Sequence, residues 1–136
     1  MTRETKKVKF NKSRFTQYRK IADGFFVRAL NENELSNWNS AGVLIIHAAI
    51  AYSDAVTVKY GGARSKGEDH LDVVRLLDSL LPQSEAKKSA LNQLEKLIAH
   101  KTSVSYSDES YDSKDIEKLF KHLERFNNWV DKQIAN

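Results

Sequence analysis

The chain has 136 residues, with 22 basic and 18 acidic side chains for a formal net charge of +4, which fits one compact domain and leaves two domains undersized. Hydrophobic residues make up 40% and charged residues 29%, enough apolar material for one core and too evenly mixed for a disordered or coiled-coil chain. The absence of cysteine excludes a disulfide framework, a thiolate zinc site and a cysteine nucleophile. Met1 to Lys20 carries no apolar leader segment, and the apolar run Val43 to Ile46 is far too short to span a bilayer, so a cytoplasmic protein with no membrane partner is expected.

The charge is unevenly placed. Residues 1–20 hold eight basic side chains (Arg3, Lys6, Lys7, Lys9, Lys12, Arg14, Arg19, Lys20) against Glu4, a local balance of +7 that leaves the remainder at −3. Residues 1–11 read as a basic arm before a single helical domain over 12–136. Such an arm attracts phosphate by counterion release, with Phe10, Phe15 and Tyr18 as stacking groups. It equally suits a solvated leader whose aromatics turn toward the core.

The first helix is expected from about Ser13 to Asn31, where Phe15, Tyr18, Ala22, Phe25, Phe26, Ala29 and Leu30 recur at three- and four-residue steps. A second runs from Ala41 to Tyr60, apolar around most of its circumference and stopped by Gly61 and Gly62. GGARSKG then reads as a flexible basic loop, with Glu68 and Asp69 at the start of a third helix striped by Leu71, Val74, Leu77 and Leu81. Pro82, the only proline, splits or kinks that helix, and the pattern resumes through Ala86, Ala90, Leu91, Leu94, Leu97 and Ile98. Lys101 to Asp112 is expected as a polar loop ending in a cap at Asp112 or Ser113. The last helix carries Ile116, Leu119, Leu123, Phe126, Val130 and Ile134. No strand alternation or repeat competes, so the fold class is all-α: an antiparallel bundle of four main helices with the third broken near Pro82.

Two polar groupings could carry chemistry. Arg64-Ser65-Lys66-Gly67-Glu68-Asp69-His70 joins an arginine and a histidine across a loop-to-helix junction. A guanidinium holds phosphate bidentately and stabilises its charge, while an imidazole near neutral pKa moves the proton of an attacking hydroxyl. The pair suits metal-independent phosphodiester cleavage, or equally a surface arginine beside a helix-start histidine. His47 and Asp54, seven residues apart on the second helix, fall on nearly one face. In a buried face they are expected as partners in a polar network, which Ser53 could join, or as the floor of a site. His47, His70, His100 and His122 lack the close spacing of metal ligands, so no bound metal or cofactor is expected.

His47 to Ala55 (HAAIAYSDA), GGARSKGEDH from Gly61 to His70, LDVVRLL from Leu71 to Leu77 and the later Tyr106-Ser107-Asp108 together resemble a HEPN domain over about residues 12–135. The resemblance implies a helical bundle, a homodimer and a role around RNA or nucleotides, often in toxin and antitoxin pairs, phage defence or stress responses. Many members are ribonucleases with an R-x(4 to 6)-H motif. Carried onto this chain, the motif makes Arg64 the phosphate-binding residue and His70 the general base or acid, leaving a 2′,3′-cyclic phosphate. Ser65, Asp69, His47 and Asp54 would support them. Members lacking the motif bind substrates or partners without cleavage, often beside a nucleotidyltransferase, and that is the alternative function.

Overall fold

The computed structural model describes residues 7–66, 69, 71–106 and 110–135. Its elements in chain order are a short strand β1 (Lys7–Lys9), a 3-10 turn (Lys12–Arg14), α1 (Phe15–Glu34), α2 (Trp38–Gly61), strand β2 (Ala63–Ser65), α3 (Asp72–Leu80), α4 (Glu85–Ile98), α5 (Lys101–Tyr106) and α6 (Ser113–Ile134). The fold is all-α, as its periodicities require, with one small addition.

α2 is the centre. Its length and composition would allow it to cross a membrane, but most of that apolar stretch is buried inside the bundle. α1, α6, α3, α4 and α5 all pack against it. Ala41, Ala48, Ala49, Ala51 and Ala55 keep its surface thin, so that neighbouring helices approach closely around Ile45, Ile46, Tyr52 and Val56. α1 lies along it after a reversal through Leu35–Asn37, where Ser36 takes a positive φ of 61°. α6 contributes Ile116, Leu119, Leu123, Phe126 and Val130 at helical spacing, each large side chain stabilising the core by roughly 1.5–3 kcal/mol. Its start is fixed at Asp112, whose carboxylate accepts from the Asp115 N–H at 2.9 Å while Asp115 accepts from the Asp112 N–H at 3.0 Å, a reciprocal cap.

Three expectations need correction. The Lys101–Asp112 stretch is not all loop, because α5 forms over Lys101–Tyr106. One apolar side chain suffices to dock it: Val104 is buried, and a Cβ on Gly42 of α2 would fall 2.7 Å from Val104 Cγ1. Leu71, Leu30 and Ala86, expected on the apolar faces of their helices, are exposed: Leu71 precedes the first turn of α3, Leu30 lies beside the buried Ala29 but outside the covered face of α1, and on α4 the buried position is Lys87 in place of Ala86. The chain also contains strands: β1 and β2 pair antiparallel, Lys7 opposite Ser65, Val8 opposite Arg64 and Lys9 opposite Ala63. The described end of the basic arm is therefore hydrogen-bonded to the segment after α2.

Around Pro82 the chain leaves α3 at Leu80 and enters α4 at Glu85, where Ser84 caps by accepting from the Lys87 N–H at 3.0 Å. Lys87 is 2% exposed; it stands three and four residues before Ala90 and Leu91 and shares their buried face, an unusual place for a charge. Its ammonium donates to the Asp78 and Leu81 carbonyls, both at 3.0 Å, and meets the Asp78 carboxylate at 2.7 Å. It thus satisfies backbone acceptors that the end of α3 leaves open. Lys87→Met should cost about 2 kcal/mol in urea denaturation, because the buried carbonyls lose their donor. An unchanged midpoint would show that water replaces it without cost.

Candidate functional site

The site is built at the end of α2, where the glycine pair lets the chain turn tightly. Gly62 caps the helix in the left-handed conformation (φ 63°), its N–H donating to the Val58 carbonyl at 2.9 Å. A Cβ there would be strained and would sit 3.0 Å from the Phe10 carbonyl oxygen, so glycine serves both the turn and the close approach of the arm. The Phe10 N–H donates to the Gly62 carbonyl at 2.6 Å, extending the β1–β2 pairing. Ala63 and Ser65 face inward and are buried, while Arg64 between them is half-buried.

Among the described residues Arg64 meets few partners for its donors. Its Nη1 donates to the Ser65 carbonyl at 3.1 Å, and its guanidinium carbon lies 5.6 Å from the centre of the Phe10 ring, a cation–π arrangement. Among the described residues it forms no ion pair with a carboxylate. The charge that acts on it from the core is Asp54. This carboxyl is buried on α2, and its Oδ1 has no hydrogen-bond partner among the described residues. Burial pushes its pKa up to about 7, against the pull of Arg64 in the opposite direction. Near neutral pH it is therefore poised between the acid and the carboxylate.

The expected His47–Asp54 network does not form. His47 is exposed and lies against Phe25, ring centres 5.6 Å apart; desolvation and then the Lys101 charge lower its pKa. The spacing of seven gives the two residues a common direction but not a common depth, because α2 is covered differently at the two levels. Ser53 does not join Asp54 either: its hydroxyl donates back to the Ala49 carbonyl at 2.8 Å, and that of Thr57 to the Asp54 carbonyl at 3.2 Å. Asp69 supports the start of α3, accepting from the Leu71 N–H at 2.9 Å and meeting Arg75 at 3.4 Å; Arg75 also pairs with Asp72 at 2.9 Å. His70 lies outside the described residues. The other histidines serve packing, His100 against the Tyr111 hydroxyl at 2.7 Å and His122 against Gln93. Among the described residues no three His, Asp or Glu side chains gather as a cation-ligand set.

The structure thus brings together Asp54, Arg64 and Phe10. It also adds a residue that the sequence marks only as one of the eight basic side chains of residues 1–20. Arg14 places its guanidinium carbon 5.2 Å from the centre of the same Phe10 ring, and Tyr18 of α1 meets that ring edge-on at 5.7 Å.

A family model described as the HEPN domain matches residues 16–133. The chain belongs to the HEPN domain family. Comparison with curated proteins and with solved structures finds no match. The matched span starts inside α1 and ends inside α6, so it covers the helical bundle of this HEPN domain and stops short of β1, the strand that lies on the Arg64 segment.

The Asp54 assignment has a pH signature. A carboxyl whose pKa is raised on folding from the ordinary value of 3.8 to about 7 stabilises the folded state most below the lower value. That stability is lost as pH rises through the upper one, with a slope of at most about 1.4 kcal/mol per pH unit. Asp54→Asn keeps the shape and removes the titration. Urea midpoints from pH 5 to 8 should fall for the native protein and stay flatter for the variant; parallel curves would refute the buried acid.

Proposed function

We propose that this HEPN domain acts on RNA and cleaves it without a metal ion, with Arg64 and His70 as the reacting pair. The observation that carries the reading is the pairing of β1 with β2: it ties the basic N-terminal segment to the strand of Arg64 and sets Phe10, with Arg14 on its ring, beside that guanidinium, while Lys7 and Lys9 project from the other side of the ribbon. An anionic chain drawn to the arm is delivered to that guanidinium.

In the proposed reaction Arg64 holds the non-bridging oxygens of the scissile phosphate and stabilises the charge that builds on them. His70 takes the proton of the adjacent 2′-hydroxyl, whose oxygen attacks phosphorus. The bond from phosphorus to the 5′-oxygen breaks, that oxygen takes a proton from water, and the product is a 2′,3′-cyclic phosphate. Ser65 contributes through its backbone carbonyl, which holds one arm of the guanidinium at 3.1 Å. The working assembly is a homodimer, supported by Ile21, Val27 and Leu30, which leave α1 with exposed apolar side chains. A partner such as an antitoxin or a nucleotidyltransferase belongs to the same proposal.

A second reading is a non-catalytic RNA-, nucleotide- or protein-binding module. It is favoured by Asp69, which is held by the Leu71 N–H and Arg75 at the start of α3 and so acts as a structural support next to His70.

The two readings separate when the protein is incubated with a mixed RNA pool in EDTA beside Arg64→Ala and His70→Ala. Cleavage by the unsubstituted protein alone, leaving cyclic-phosphate ends, supports the nuclease. No cleavage, or equal cleavage by all three, leaves the binding module.

A further inference from the structure

We propose that Arg14 and Arg64, organised around Phe10, form a two-point phosphate site that takes the sugar–phosphate backbone of single-stranded RNA. The inference rests on the reading of Arg64 as a phosphate-binding residue and adds a second residue that contacts the substrate.

Two guanidiniums are held against one ring, at 5.2 and 5.6 Å from its centre. Bringing two like charges around a single side chain is unfavourable unless something anionic sits between or beside them. Among the described residues neither arginine has an ion pair with a carboxylate; the buried Asp54 acts on Arg64 without an ion-pair contact, and only where it is ionised. Arg14 instead turns its Nε and Nη2 edge onto one neutral oxygen, Gln17 Oε1, at 3.3 and 3.2 Å. That edge is the one that grips an oxyanion bidentately, and a phosphate offers it two charged oxygens in place of one amide oxygen.

Helix stability does not account for Arg14. It occupies the N-cap position of α1, makes no side-chain capping bond, and no acidic residue follows in the first turn. A cation there opposes the helix dipole. With Lys12 exposed in the preceding turn, this end of a 20-residue helix is a positive region with no acidic residue in the first turn to offset it. A phosphate would relieve both the repulsion between the arginines and the unfavourable dipole.

Phe10 is the organiser. Its N–H is fixed by the Gly62 carbonyl at 2.6 Å, and its ring is braced by Tyr18. Val8, Phe10 and Arg64 lie on one side of the two-stranded ribbon, since Val8 pairs directly with Arg64 and Phe10 follows at the next alternate position. The preference for a single strand follows from the setting: both cations lie within cation–π range of one ring, and the half-buried Phe10 and Tyr18 offer an aromatic surface to an unpaired base.

The test is binding of a labelled 2′-O-methyl oligoribonucleotide, which keeps the phosphates but lacks the hydroxyl needed for cleavage, measured by fluorescence anisotropy across a salt series. Arg14→Ala should weaken binding roughly five- to tenfold and lower the slope of log affinity against log salt by about 0.7, the loss of one phosphate contact on a single strand. Arg14→Lys should restore the slope but not the full affinity, because the charge returns without the fork. Phe10→Leu should weaken binding with the slope less affected, and Arg125→Ala, an exposed arginine on α6, should match the native protein. If Arg14→Ala binds as the native protein does while Arg64→Ala is weakened, the two-point site is wrong and the Arg64 reading stands. If neither substitution moves affinity or slope, both fail.

Discussion

Enclosing α2 on nearly every side forces each of its polar groups to find a partner inside the protein. Most do so locally or across one interface. Ser53 and Thr57 bond carbonyls of their own helix, the Tyr52 hydroxyl donates to Asp23 of α1 at 2.6 Å, and the Lys59 ammonium reaches the Gln133 and Ile134 carbonyls near the end of α6. These bonds also tie α1, α2 and α6 together, so the packing around Tyr52 and Lys59 is polar as well as apolar. Tyr52 is held well above the usual phenol range, first by burial and then by its bond to Asp23.

Asp54 is where this accounting does not close. Its carboxyl is buried, the neighbouring hydroxyls are turned elsewhere, and the balancing charge comes from Arg64 on the strand that follows the helix. A group of this kind reduces the stability available at neutral pH in return for an electrostatic link between core and surface. The core helix and the proposed phosphate-binding arginine are therefore coupled by charge, and not only by the chain turn at Gly62.

Much of this architecture is legible in the sequence because helical burial leaves a three- and four-residue trace. α6 and α1 show it plainly, and the alanine-rich stretch closed by Gly61-Gly62 marks the central helix and its end. The capping role of Asp112 is equally readable from its place before a periodic run. The pairing of Lys7–Lys9 with Ala63–Ser65 leaves no such trace, since three residues are too few for alternation and the partners lie more than fifty positions apart. That one long-range contact sets the described end of the basic arm beside the Arg64 segment. His47 and Asp54 show a second limit: spacing fixes the direction of a side chain, while exposure depends on which neighbour covers that level of the helix. Lys87 shows a third, because its burial answers carbonyls of another helix end that its own segment does not reveal.

The strand β1 is joined to the domain mainly through backbone bonds at its own edge, and its side chains are exposed or half-buried. Little apolar surface is lost when it lifts away, so its opening costs far less than unfolding the bundle. Amide hydrogens along β1 and β2 accordingly exchange through a local event, and those in the middle of α2 only through a global one. Phe10 travels with that opening segment, whereas Asp54 stays with the core. The geometry around Arg64 is thus assembled from one part that can detach and one that cannot, and its surroundings change while the helical bundle remains folded.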